Sequence, residues 1–324
     1  MARKGEMGRK TKRESSRKKS RSTSYKHGAG DRGSLEFKAR VSEQEGEIMQ
    51  IARINVVTVP PTMNIMSTVK TLINYKLRRV PVCDPGTMRL EGICSVMDII
   101  DFLGGGEKHS LITKKHKGKF IVAVNDDVRE IMNKNVITVS DSASMVQALK
   151  ILQKHGQGGA PVVDSESHVT GTIAEVNFVE QMVGLKTGIS VGTAMATKLL
   201  ITSPDTSIRR VSEDMIQKGY RRIPVVKDGV LIGITSASDI LRFLGSGKMF
   251  ELLVTGDIDD AVSQPIRNIM KTSLITINTR ADVGEAAALM MDKWIGSIPV
   301  VENGRLIGLI TQTDVLKHYP ELGK

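Results

Sequence analysis

Cysteine is scarce in this chain of 324 residues, tryptophan scarcer, and aromatic side chains are few throughout: two Cys, one Trp, four Tyr and six Phe. Two cysteines, Cys83 and Cys94, exclude a disulfide framework and point to a reduced, cytoplasmic protein. With so few aromatics, any flat ligand must be gripped mostly by aliphatic side chains. Long apolar runs are also missing. Stretches such as Leu306-Ile307-Gly308-Leu309-Ile310 fall far short of a membrane span, and no apolar h-region follows Met1, so no secretory signal is predicted. No paired nucleophile and base, no metal-spaced Cys/His cluster and no P-loop occurs. The expectation is therefore a chain that is not an enzyme, with no catalytic and no metal-ligating residues.

What is present is a charge imbalance, and it is local. Of the net +11, residues 1–40 carry 14 Lys/Arg against 4 Asp/Glu, while the other 284 residues hold 32 basic and 31 acidic side chains. The first 40 residues are rich in Ser, Gly and cations and show no periodicity, so they are expected to be a disordered basic tail. Two readings of it stand side by side. It is a solvated arm, or it draws nucleic acid by counterion release, although only Tyr25 and Phe37 are aromatic in it.

The body repeats four times. NVVTVPP (55–61), RRVPV (78–82) and GICSVMDII (92–100) align with NVITVSD (135–141), GGAPV (158–162) and GTIAEVNFV (171–179). LLITSPD (199–205), RRIPV (221–225) and GITSASDIL (233–241) align in turn with LITINTR (274–280), GSIPV (296–300) and GLITQTDVL (308–316). Thr58, Thr138 and Thr276 each precede a proline (Pro81, Pro161, Pro299) by 23 residues, and Ile201 holds that offset from Pro224. Phe102-Leu103-Gly104 recurs as Phe243-Leu244-Gly245, 141 residues on, so repeats one and two form a unit that three and four duplicate. The boundaries expected are 47–187 and 188–320.

Periods change in a fixed order within each repeat. A β-branched run such as Val56–Val59 reads as a strand. A helix follows, with Ile65, Met66, Val69, Leu72 and Ile73 on one face. Two strands joined by a turn come next, and then a second helix, giving a β-α-β-β-α unit and an α+β fold class.

Each repeat closes on Gly, an apolar residue, any residue, Ser/Thr, two residues, then Asp. Ser95 and Asp98, Ser236 and Asp239, and Thr311 and Asp314 fill the pattern, whereas repeat two has Ala174 and Asn177. One reading is a helix capping box. The other is a ligand site. A helix N-terminus and a hydroxyl suit a phosphate, and a carboxylate one turn on can accept from both hydroxyls of a ribose. The paired arginines Arg78-Arg79 and Arg221-Arg222, just before the prolines of repeats one and three, match phosphate oxygens bidentately.

On these residues the chain resembles the cystathionine-β-synthase (CBS) domain family over about 47–320. With four repeats it resembles the gamma subunit of AMP-activated protein kinase and stand-alone archaeal four-CBS proteins. The resemblance implies two Bateman modules packed as a disc, with clefts for AMP, ADP or ATP, no required cofactor, and S-adenosylmethionine as the alternative ligand. It implies Asp98, Asp239 and Asp314 as ribose acceptors, and Ser95, Ser236 and Thr311 as hydroxyl donors. Arg78, Arg79, Arg221 and Arg222 become phosphate ligands, and Thr58, Thr138 and Thr276 line the adenine end. Repeat four lacks a basic pair and must borrow one. The basic insert over 104–125 is either a solvated loop or part of a phosphate or partner surface. The function expected is a regulatory adenine-nucleotide sensor that acts on a protein effector in trans, without a membrane, either as a disc within one chain or across a homodimer. A nucleic-acid-associated scaffold using the tail is the competing reading.

Overall fold

The leading helix of each repeat starts at a polar side chain that satisfies an otherwise orphaned amide. Asn64, Ser144, Ser207 and Asp282 accept from Ser67, Gln147, Arg210 and Gly284 N–H and open Ile65–Asn74, Met145–Lys154, Ile208–Lys218 and Val283–Asp292. The chain's computed structural model describes residues 46–104, 106–253 and 258–319, so the tail predicted over 1–40 lies outside it. After each helix comes an antiparallel hairpin: Arg79–Cys83 with Leu90–Ser95, Gly159–Val163 with Val169–Ala174, Arg222–Lys227 with Val230–Ser236, and Ser297–Glu302 with Arg305–Thr311. The motif helices Val96–Gly104, Glu175–Gln181, Ala237–Gly245 and Gln312–Leu316 follow directly.

One expectation needs correction. The first β-branched run forms a true strand only in repeat two, where Val139–Ser140 runs parallel to Gly159–Val163. In the other repeats it is a single bridge: Val59 to Val82, Thr202 to Val225, Ile277 to Val300. Pro60, Pro61 and Pro204 have no N–H to extend a ladder. In repeat four Asn278 turns the chain by accepting from Arg280 and Ala281 N–H at 2.9 and 3.0 Å.

The repeats pair by exchanging edges. Arg53 leads into repeat one but bridges Thr172 of repeat two, while Asn133 leads into repeat two and bridges Ile93 of repeat one. Ala196–Leu309 and Lys271–Ile234 do the same for repeats three and four. Sheet hydrogen bonding therefore joins one to two and three to four. Helix packing joins them the other way. One apolar core holds the side chains of repeats one and three (Ile65, Val69, Phe102 with Val211, Met215, Leu244), and a second holds those of two and four (Leu149, Phe178 with Ala286, Met290, Leu316). The four repeats thus close into a ring, as a disc requires.

The recurring Phe-Leu-Gly now has a physical reason. Gly104 ends its motif helix against Ser212 of repeat three, and Gly245 ends its own against Ile73 of repeat one, each leaving no room for a Cβ. The contact is reciprocal and crosses between the halves of the chain. Overpacking such a contact costs about 1–3 kcal/mol. Gly104→Val should lower stability by that amount in urea titrations, and Gly245→Val by less, because the Ile73 tip can turn aside where Ser212 Cβ cannot. Gly247→Ala, with open space around it, should stay within about 0.5 kcal/mol of the parent.

Candidate ligand cleft and central arginine cluster

Strand register brings the candidate residues together. Arg79 lies opposite Ser95, and Arg222 opposite Ser236; Gly159 with Ala174 and Ser297 with Thr311 hold the same places in the even repeats. The residue before each of these accepts through its carbonyl from the first N–H of the motif helix: Arg78 O from Val96 (2.9 Å), Gly158 O from Glu175 (3.2 Å), Arg221 O from Ala237 (3.0 Å), Gly296 O from Gln312 (3.3 Å). The position of the arginine pair is thereby fixed to the motif helix in every repeat.

The arginine pairs of the odd repeats occupy space left by glycines of the even ones. A Cβ on Gly296 would stand 2.6 Å from Nη2 of both Arg78 and Arg222. One on Gly158 would collide with Nη1 of Arg221, and Nη1 of Arg79 donates to the Gly159 carbonyl. Arg78 also donates to Gln312 Oε1 at 3.0 Å, and Arg222 to the Gly296 carbonyl at 3.3 Å. All four guanidiniums converge on the centre of the ring, and none forms an ion pair among the described residues. Burial, reinforced by Arg221, holds the Arg78 guanidinium below its ordinary value, and brings Arg79 down to about 10. Burial together with Arg78 and Arg221 brings Arg222 down to about 9. Like charges gathered in a partly desolvated space are costly without a counter-ion.

A cavity of about 400 Å³ opens from this cluster. Its polar wall holds Arg78 and Arg222 with Ser236 and Asp239, and adds Lys76, Arg242 and Lys271. Its apolar wall is aliphatic (Leu72, Ile73, Leu77, Ile234, Leu241, Ile295), and Trp294, 84% exposed, is its one aromatic lining residue. Five cations therefore face a single carboxylate, and Arg78 reaches in from the other half of the chain.

The motif carboxylates cap their helices, and the two oxygens divide the work. Asp239 Oδ2 accepts from the backbone N–H and hydroxyl of Ser236; Asp98 Oδ2 and Asp314 Oδ2 do so from Ser95 and Thr311. The other oxygen is held by a cation: Arg242 for Asp239, Lys317 at 2.8 Å for Asp314, and Lys108 for Asp98. In repeat two the Asn177 carbonyl accepts from Ala174 N–H at 2.9 Å, half of the same box.

The insert over 104–125 is folded rather than a solvated loop, and Lys114, Lys117 and Lys119 stay exposed on it. It folds into short turns, Glu107–His109, the π-helical Leu111–Lys115 and Phe120–Ala123, and buries Leu111, Ile112 and Phe120 in the core. Lys115 pairs with Asp126 and Glu130 at 3.1 and 3.2 Å, and His116 Nε2 lies 2.7 Å from Asp126. Asp101 stands where repeat three has Arg242; it accepts from Lys108 N–H at 2.9 Å and so aims the Lys108 ammonium at Asp98. The cation missing from the helix is supplied by the insert.

None of the first-strand threonines lines the cavity around Asp239. Thr276 lines a separate cavity of about 440 Å³ with Asn278, Glu285, Leu289 and Asn303, which none of the predicted arginines or aspartates lines. Thr58 is half-buried with its hydroxyl over Met88 Sδ at 4.0 Å, and Thr138 is half-buried too. Sequence reasoning missed Lys76, Lys271, Arg242 and Glu175, and placed Lys108 only within the basic insert. Arg242 and Lys317 share the place three after the motif Asp, a legible signal. Lys108 and Lys76 reach their sites only through the fold.

The chain belongs to the CBS domain family: the family's profile matches residues 46–105, 128–184, 191–246 and 266–321. Paired CBS domains are regulatory ligand-sensing modules. Protein MJ1225 of Methanocaldococcus jannaschii is 34% identical over 84% of this chain and 98% of its own length. Its crystal structure, described as that of a proposed archaeal homologue of γ-AMPK, superposes with a TM-score of 0.80 over 84% of this chain and 99% of MJ1225. A Thermofilum pendens protein from a ribosomal RNA operon is 24% identical over 82% of the chain and 88% of its own length. A conserved Pyrococcus horikoshii protein shares the fold at a TM-score of 0.52 and 20% identity, over 82% of the chain and 96% of its own length. Among the described residues no helix is long and apolar enough to cross a membrane.

Removing one of several like charges crowded in a partly desolvated space relieves their mutual repulsion. Arg222→Met should therefore raise the melting temperature in anion-free, low-salt buffer. It should also abolish most of the stabilisation that pyrophosphate gives the parent chain, both read by thermal unfolding.

Proposed function

We propose that this protein is a regulatory sensor of adenosine nucleotides, binding AMP, ADP or ATP in clefts between paired CBS repeats. The observation that carries the reading is the cavity with five cations around Asp239. A ribose that donates to the Asp239 carboxylate would take the place of Arg242 on Oδ1, while Oδ2 keeps its cap. Its phosphate would lie toward Arg78 and Arg222, and the base against the aliphatic wall near Trp294. The same charge census disfavours S-adenosylmethionine, whose sulfonium would enter a site already rich in cations. The segments 47–187 and 188–320 are the two modules in this reading. Because Arg78 comes from the first and Asp239 from the second, a nucleotide there holds the modules in one arrangement. It shifts the equilibrium only by its differential affinity for that arrangement. The output passes to a protein partner in trans.

Isothermal titration of AMP, ADP, ATP and S-adenosylmethionine into the full chain tests this, with Trp294 emission as a second readout. A phosphorylated adenosine should bind, and Asp239→Ala should weaken it by about tenfold or more, as loss of a charged hydrogen bond does. Asp98→Ala should act on a separate site. The reading is lost if no adenosine nucleotide produces heat or changes the emission, or if S-adenosylmethionine binds more tightly than all three.

A further inference from the structure

Repeat two differs from the other three at one more place besides Ala174 and Asn177. The first residue of its motif helix is Glu175, where the other repeats have Val96, Ala237 and Gln312. Since that residue is tied to the arginine-pair position, Glu175 stands at the centre of the ring. It is buried, at 9% exposure. Its Oε1 accepts from Thr313 Oγ1 of repeat four at 2.6 Å. Its Oε2 faces the same point as Arg221 Nη1, the missing side chain of Gly158, from which a Cβ would lie 3.1 Å from the carboxylate. Next to Thr313, Gln312 holds Arg78 at 3.0 Å. One fixed carboxylate thus stands among four guanidiniums and pairs with none of them, held instead by a neutral hydroxyl. Its field acts on Arg78, Arg79 and Arg222.

A carboxylate placed where anions are to be received adds attraction for none of them and repels each in proportion to its charge. A monophosphate brings up to about two negative charges, and a triphosphate roughly twice that. The geometry points to Glu175 as a specificity-determining residue: it limits how much phosphate charge the arginine cluster accepts, favouring nucleotides with one phosphate over those with three. Discrimination here comes from a built-in repulsive element, with the attraction supplied by the arginines. The inference rests on the nucleotide-sensor reading for its ligand, but the charge filter itself can be judged without it.

The test compares AMP and ATP affinities, measured by titration calorimetry in EDTA, for the full-length parent and Glu175→Gln. The amide keeps an acceptor for Thr313 and removes only the charge. ATP should bind about tenfold more tightly to the variant, with AMP gaining far less. Glu166→Gln, which removes an exposed acid of the same repeat, should leave the ratio unchanged. Glu175→Ala serves as a second charge-removing variant should the first fold poorly. The proposal is overturned if the AMP-to-ATP ratio stays within about twofold of the parent, or moves equally in Glu166→Gln. Orthophosphate and tripolyphosphate, compared by their shifts in melting temperature on the same proteins, judge the filter separately. If no adenosine compound binds but tripolyphosphate gains selectively in Glu175→Gln, the sensor reading fails and the filter stands. If neither polyanion distinguishes the variant, the filter fails.

Discussion

The ring depends on one steric complementarity: the arginine pairs of the odd repeats fill the room that glycines leave in the even ones. A Cβ on Gly296 would stand 2.6 Å from Nη2 of both Arg78 and Arg222, so a larger residue would push both guanidinium ends aside. That fit gathers four like charges with only the Glu175 carboxylate buried among them, which leaves the group short of negative charge. The apolar cores between repeats one and three and between two and four supply the cohesion that holds this arrangement against its own repulsion. In the proposed reading the same geometry would favour a phosphate, because guanidiniums already oriented and partly stripped of water need little rearrangement to meet one.

Capping box and ribose acceptor look like competing accounts of the Ser-x-x-Asp motif, but the structure shows the cap, and the proposed ribose contact does not require giving it up. One carboxylate oxygen is committed to the helix start, while the other meets a side-chain cation, Arg242 in the case of Asp239. A group can therefore serve stability and recognition together, since a carboxylate has acceptor sites enough for both. The cations Arg242, Lys317 and Lys108 occupy equivalent electrostatic positions although they come from two different parts of the local chain, two from the motif helix and one from an insert. What is preserved among the three repeats is a charge at a place, reached by whichever backbone is near.

Much of this was legible. The order of elements, the helical faces around Ile65 and Met145 and the four hairpins follow from hydrophobic period and matched spacing. The shortened first strands were overcalled, because a β-branched run at a sheet edge looks the same whether or not a proline ends its ladder. The resemblance implied ligand roles for Arg78, Arg222, Ser236 and Asp239 one by one, but not that Arg78 crosses from the other half of the chain to line one cavity with the other three. That the insert is folded was not legible, because the acids that meet Lys115 and Lys108 are brought up by the fold.

The amino-acid order by itself determined the repeat, its local elements and its caps, since these depend on residues within one turn or one hairpin of each other. Only the tertiary structure decided which repeats share a core and where Glu175 and Lys108 stand. Those outcomes depend on contacts between segments far apart in the chain, and a charge's consequence is set by what surrounds it in space. Glu175 is an ordinary acidic residue at the start of a helix until four guanidiniums from two other repeats are gathered around it.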